Sequence, residues 1–344
     1  MLRYAVKQGS VRAKFLLGCL LYDKRHYREG AALFEEYQRA MPEDPTGLRC
    51  LAVACFSHLN RRDEALELMR RALEHSDSPQ LLFEAVALMD KLGVAPQEKI
   101  RLLTARSLGM DNLFTELAKA YNQNRQPERA LEVLRGHSFV PCEGGEHAIA
   151  DQYMFAWYQL GMQSLAEDKP AEALERFESA LTLPQNLGAG IWNRCKYVPY
   201  RYRIAECMEA LGRTAEAQEI YREILGIRIE FFSEMHLKEL PFYQALSARR
   251  LGLMQRAQNL MTDARRRWSA ELNRRDNGYF ATTPFFISFM DDAAALRRAQ
   301  YLYLTALVKL YEGQTECAQA MLRESYALNN ENLFCGFYAR EARL

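Results

Sequence analysis

A chain of 344 residues with 49% hydrophobic and 26% charged positions has the apolar material to fold throughout, which excludes a disordered protein. Its 45 basic and 44 acidic residues leave a net charge of +1, so the overall field that draws a chain to nucleic acid or to an anionic membrane surface is missing. No stretch approaches the ~20 apolar residues of a membrane span, and the opening MLRYAVKQGSVRAK lacks the apolar core of a secretion signal. A cytoplasmic location is expected, with no membrane and no nucleic-acid partner. The eight cysteines form no CxxC pair and the six histidines no i,i+4 pair, so we expect free thiols, no metal and no cofactor. GxxxxGK[ST], GxSxG and HExxH do not occur, and no catalytic residue is assigned.

Taken in chain order, the sequence opens directly in a helix, Leu2 to Gln8, without a capping residue ahead of it. This abrupt start reads as a piece of something longer. Helical hairpins follow at Leu17–Tyr37 and Ala54–Ala72, then an irregular unit from Leu81 to Met110, then further hairpins including Leu160–Ala180 and Ala205–Ile224. Their shared register is a small residue on the second helix, at Gly30, Ala65, Ala130, Ala173, Ala217, Ala257 and Ala318. Four positions later stands a large apolar one: Phe34, Met69, Leu134, Phe177, Tyr221, Met261 and Leu322. Twelve positions earlier, on the first helix, lie Gly18, Val53, Ala118, Gly161, Ala205, Ala245 and Ala306, all small or β-branched. Antiparallel helices reach ~8–10 Å separation only where the facing side chains are small. The large residue then fills the gap one turn away.

The spacing of these anchors lengthens from 35 residues at the start to 61 at the end. The added residues fall at His137–Ala150, Gln185–Pro199, Gly226–Pro241 and Trp268–Leu296, where they must leave the array as loops or longer helices. In HSFVPCEGGEHAIADQY, two glycines flanked by Glu143 and Glu146 make a turn that offers both carboxylates to a hydroxyl-rich ligand, sets them as a general acid/base pair, or simply caps a helix beginning near Ala148. Tyr153 follows in that stretch. In LPQNLGAGIW, Asn186 and the glycines suit positive-φ turns, and Trp192 either stacks on a sugar or seals one repeat against the next. The segment NGYFATTPFFISFMDD, ending at Asp291 and Asp292, either folds back over the concave face or caps the last units. Arg265, Arg266, Arg267, Arg274 and Arg275 around Trp268 either grip an anion or form a solvated helix face.

The mid-helix LG, the alanine opening the second helix and the proline after it closely resemble the tetratricopeptide repeat. The order of LLGCLLYDKRHYREGAALFE, the EGGE loop, ALERFESALTLPQNLGAG and PFFISFMDD is further similar to the C-terminal region of a family of large bacterial proteins. Those join a β-rich N-terminal portion of unknown function, carbohydrate-active in its architecture, to a long repeat tail. The likeness covers Glu143, Gly144, Gly145, Glu146, Asn186, Leu187, Gly188 and Gly190, and departs at His147 and Met290. It implies an all-α, right-handed superhelix of about eight helix pairs with inserted loops. Residues 1–344 are then one array: regular repeats over 1–137, looped repeats over 138–296, and a final repeat and cap over 297–344. The expected function is a non-catalytic scaffold that docks a protein or peptide, including the N-terminal portion of the same polypeptide, in its groove. The alternative is an accessory part of a carbohydrate-active enzyme that binds an oligosaccharide. Candidate binding residues are Glu143, Glu146, Tyr153, Asn186, Trp192 and Asp291.

Overall fold

The computed structural model describes residues 1–141, 146–190, 194–230, 237–274 and 289–341; the side chains of Glu146, His147 and Arg194 are outside the description. Among the described residues the fold is all-α, an α-solenoid of paired helices with no strand. Contacts divide the chain into two compact units, Met1–Leu113 with Gly278–Ala293, and Phe114–Asn277 with Ala294–Leu344.

The first unit opens with α1 (Leu2–Lys7), followed by the pairs α2 (Val11–Asp23) and α3 (Tyr27–Ala40), α4 (Pro45–Ser57) and α5 (Arg62–Glu74), and α6 (Pro79–Lys91) and α7 (Pro96–Thr104). Next come α8 (Asp111–Gln123) with α9 (Pro127–Arg135), α10 (Glu146–Ala166) with α11 (Pro170–Ala180), and α12 (Val198–Ala210) with α13 (Thr214–Gly226). Then follow α14 (Leu240–Arg250) with α15 (Met254–Leu272), α16 (Ala293–Tyr311) with α17 (Thr315–Leu328), and a single closing helix, α18 (Leu333–Glu341). Several starts are fixed locally. Ser10, Asp44 and Ser78 accept from the backbone N–H groups of Ala13, Gly47 and Leu81, and proline opens α4, α6, α7, α9 and α11, where its missing donor costs nothing.

Among the described residues, each of the eight helix pairs turns on one left-handed residue: Arg25, Asn60, Gly93, Arg125, Asp168, Gly212, Gly252 and Gly313, with φ between 55° and 79°. In seven of them the next residue donates its N–H to the carbonyl five positions back, as His26 does to Leu21 and Gln314 to Lys309; Arg61 reaches six back, to Cys55. This closure satisfies the last carbonyls of the first helix and sends the chain straight into the second. All seven anchors predicted from sequence stand five residues after that turn residue.

The anchors are buried, and the contacts show why they must be small. A Cβ on Gly161 would lie 2.5 Å from the Phe177 ring, one on Gly18 2.8 Å from the Phe34 ring, and one on Gly30 2.9 Å from the Gly18 carbonyl. Ala65, Ala130, Ala173, Ala217, Ala257 and Ala318 are completely enclosed. Val53 is the exception on the first helices: it is half-buried, and the enclosed small residues of α4 are its neighbours Ala52 and Ala54.

The stretch Leu81–Met110, irregular in sequence, folds as the regular pair α6 and α7. Its turn is one residue longer, so the anchor position falls on Lys99, and Leu103 four residues on is the enclosed large partner. The Lys99 amine, 1% exposed, pairs with the equally buried Asp90 of α6. A buried ion pair thus occupies the contact that alanine makes elsewhere.

Two expectations follow. Ala173→Leu and Ala217→Leu each overpack a helix pair and lower stability by ~1–3 kcal/mol in denaturant unfolding, and two variants that unfold like the parent would contradict the register. Lys99→Met strands a buried carboxylate and costs ~3–5 kcal/mol, most of which returns when Asp90→Leu is added.

Candidate binding surface

In the second unit the first helices of the pairs hold the closing helix. Phe334 of α18 lies with its ring 5.2 Å from Phe155, 5.0 Å from Tyr158 and 6.3 Å from Tyr200, and Phe337 lies 5.6 Å from Tyr158. The Tyr338 hydroxyl sits 3.1 Å from that of Tyr158. Tyr243 of α14 and Tyr303 of α16 belong to the same buried cluster, and burial pushes both phenols far above their ordinary range. At the edge, the Gln123 amide donates to the Asn330 carbonyl at 3.0 Å and Arg340 to the Gln123 carbonyl at 3.2 Å, while Arg125 pairs with Glu341 at 3.0 Å. Residues from α8, α10 and α12 therefore hold one nine-residue helix, within a buried cluster that also takes in Tyr243 and Tyr303.

Local sequence makes α18 fit that place. The Asn332 side chain accepts from the Cys335 N–H at 2.9 Å and caps the helix start. Phe334, Phe337 and Tyr338 stand at i, i+3 and i+4, so all three rings project from one face. Gly336 faces the Tyr326 ring of α17, where a Cβ would stand at 2.6 Å.

A buried guanidinium anchors the polar end of this seat. Arg203 of α12 donates from Nε to the Tyr158 hydroxyl at 3.3 Å and from Nη1 to Glu206 at 2.5 Å. Glu206 also accepts from Arg250 at 2.7 Å, Arg250 pairs with Glu209 at 3.2 Å, and Glu209 accepts from the Tyr221 hydroxyl at 3.0 Å. The chain of charges lets an arginine remain ionised inside an aromatic surround. Beside it opens a cavity of about 440 Å³ lined by Tyr202, Arg203, Glu206, Leu246, Arg249, Arg250 and Met254.

The first unit shows a smaller version on α4 and α6. Phe289, only 2% exposed, meets Phe56 edge-on at 5.5 Å, the Met290 N–H donates to the Ser57 hydroxyl at 3.2 Å, and Asp291 pairs with Lys91.

The residues singled out from sequence are distributed as follows. Glu143 and Trp192 lie outside the described residues, as does the side chain of Glu146, whose backbone opens α10 two residues before the predicted start. Asn186 turns inward: its amide donates to the carbonyls of Leu134 at 2.8 Å and His137 at 2.7 Å, and its own carbonyl accepts from the Phe139 N–H at 2.8 Å. Gly188, at φ 57°, is packed so tightly on this strand of loop that a Cβ would lie 2.6 Å from the Phe139 carbonyl. The loop following α9 and the PQNLGAG loop are thus brought together. Tyr153 is nearby and buried, lining a shallow hollow of about 440 Å³ with Arg135, Glu175, Glu178, Ser179 and Thr182. Asp291 is separate, in the first unit. Of the arginine cluster, Arg265 pairs with Glu312 at 2.9 Å and Arg266 with Asp263 at 3.2 Å, while Trp268 is core, so this stretch is a solvated helix face over a buried ring. Arg275 lies outside the described residues.

Sequence reasoning missed Tyr158, Arg203, Phe334, Phe337 and Tyr338. The signals were an arginine within the aromatic run YRYRI of α12 and the three rings of LFCGFY at helical spacing. Among the described residues no group of three His, Cys, Asp or Glu side chains could hold a metal ion, and no helix is long and apolar enough to cross a membrane.

No family model matches the chain. Among solved structures it is similar to the human IFIT1 dimer with PPP-AAAA, at 15% identity and a TM-score of 0.32 over 93% of this chain and 73% of that one. It is also similar to Naa15/Naa10 bound to HypK-THB, at 15% identity and a TM-score of 0.45 over 99% of this chain and 62% of that one. PilW, a type IV pilus biogenesis factor, aligns at 15% identity and a TM-score of 0.33 over 62% of this chain and 91% of its own.

The seat of α18 predicts an order of effects. Arg203→Leu costs ~3 kcal/mol, the low end for breaking a buried ion pair because Arg250 still faces Glu206. Tyr338→Phe removes a single hydroxyl contact and costs ~1 kcal/mol. Denaturant unfolding of both variants checks this, and the reverse order would contradict the geometry.

Proposed function

We propose that this chain is a non-catalytic binding module that holds protein segments on the face built by the first helices of its pairs. The observation that carries this reading is that the chain's own segments already lie there, each held by aromatic anchors: Phe289 in the first unit, and Phe334, Phe337 and Tyr338 in the second. A rigid face of closely paired helices loses little entropy when it takes a ligand, and anchors at i, i+3 and i+4 are how such a groove reads a helix. The thiols of Cys50, Cys55, Cys207 and Cys335 are all pushed up by burial, to between about 11 and about 12, opposite to what a nucleophile needs.

The partner in this reading is a protein or peptide, including a further portion of the same polypeptide such as a catalytic domain. A sugar site at Glu143 and Glu146 is the competing reading. Calorimetric titration separates the two. A synthetic peptide with the sequence of residues 329–341 is titrated into full-length protein carrying Phe337→Ala, whose own α18 is weakened, alongside a panel of oligosaccharides. Saturable binding of the peptide, and not of a scrambled one, is expected. Saccharide binding that vanishes in Glu143→Ala and Glu146→Ala, with no peptide binding, would overturn the proposal.

A further inference from the structure

Helix α2 has the composition of a buried helix and the exposure of a surface one. Ala13, Phe15, Leu16, Leu17, Leu20 and Leu21 make it apolar nearly all round, a pattern that belongs to a helix enclosed by neighbours. Its counterpart α4, also 13 residues long and lying between α3 and α5, buries seven of them, whereas α2 buries only Ala13, Leu17 and Gly18. In front of α4 stands α3, with 14 residues; in front of α2 stands α1, with six, none of them buried. Six helical residues span ~9 Å, less than half the length of α2.

The strip left uncovered has a definite order. At ~100° per residue, Arg12, Leu16, Leu20 and Asp23 fall within about 80° of one another around the axis. All four are exposed, the two leucines 44% each. Neither Arg12 nor Asp23 has an ion-pair partner among the described residues, and the neighbouring Lys14 is paired with Glu36 at 2.8 Å. Both charges also stand at the unfavourable ends of the helix. Arg12 is in the first turn, where the helix dipole is positive, and Asp23 is the last residue, where it is negative.

We propose that this strip is a contact between two copies of the chain, with α2 packed antiparallel to the same helix of its partner across a two-fold axis. Arg12 then faces the partner's Asp23 and Leu16 lies against the partner's Leu20, each contact made twice, as an isologous interface requires. Antiparallel packing brings each helix end beside the opposite end of the partner, so the dipole that disfavours both charges within one chain is offset by that of the other. A parallel arrangement would set Arg12 against arginine and Asp23 against aspartate. A partner of one charge sign would satisfy only one end of the strip, which is why a second copy is the occupant. One short helix on another is small beside a standard interface, so the pairing is reversible, with association at concentrations on the order of 10–100 µM.

Sedimentation velocity of the full chain over about 2 to 300 µM, the range of a weak interface, tests this. The sedimentation coefficient is expected to rise with concentration toward that of a particle of twice the chain mass. Leu20→Glu, at an exposed position, stays monomeric with unchanged helix content. Arg12→Asp alone and Asp23→Arg alone each weaken association at least about tenfold, because each sets like charges against one another across the axis. Mixed in equal amounts, these two variants associate about as strongly as the parent, since every contact between them joins opposite charges. A parent chain that remains monomeric throughout, which leaves the strip to a different protein or to further polypeptide, overturns the proposal. A dimer that survives Leu20→Glu overturns it too, as does a mixture of the two charge variants that associates no more strongly than either alone.

Discussion

Two helices can pack backbone against backbone only where neither carries a bulky side chain at the crossing, and every other feature of this chain depends on that contact recurring. Gly18 on Gly30, and Gly161 under Phe177, leave no room for a single added carbon. The left-handed turn five residues before each anchor fixes where the second helix starts and so which residue reaches the crossing. Turn and anchor act as one unit. A shift of one position would put Leu66, Leu131 or Leu174 at the contact and Arg70, Arg135 or Glu178 over the gap.

Within each unit the first helices of the pairs line a face, and in the second unit that face is aromatic. In the second unit it would expose the rings of Phe155, Tyr158, Tyr200 and Tyr243 to water, a large aromatic surface that gains by being covered. Helix α18 covers it. The buried Arg203 gives the seat a polar reference point, because only a side chain with a hydroxyl at the Tyr338 position completes the Tyr158 contact. Apolar area then supplies the holding energy, and the hydroxyl and guanidinium set the position along the groove. Extra residues in the later repeats serve this arrangement too: α15 runs to Leu272 and places Trp268 in the core, and the loops after α9 and α11 tie to each other through Asn186.

The repeat was legible because its signal is local: a small residue and a large one four positions apart recur on a single helix. Lys99 escaped because a charged residue reads as surface, and nothing nearby in sequence says that Asp90 will be buried with it. Four of the turn residues are glycines, but Arg25 and Arg125 take the same backbone with side chains that rarely adopt it, so those turns carry no local mark. The seat of α18 was invisible for a different reason: Tyr158 and Tyr338 are 180 positions apart, and no periodicity joins them. In a glycine-rich loop Asn186 reads as a positive-φ turn residue, but its φ is not positive. Its amide instead bonds backbone carbonyls some fifty positions back, a role that composition does not encode.

That the face of first helices firmly holds a helical segment is tested most directly by amide hydrogen exchange on the full chain. The account predicts that amides of Leu333–Glu341 exchange as slowly as those of α10 and α12, which surround them, and open together with those helices. Exchange of α18 at the rate of an unstructured peptide, while α10 and α12 stay protected, would contradict it.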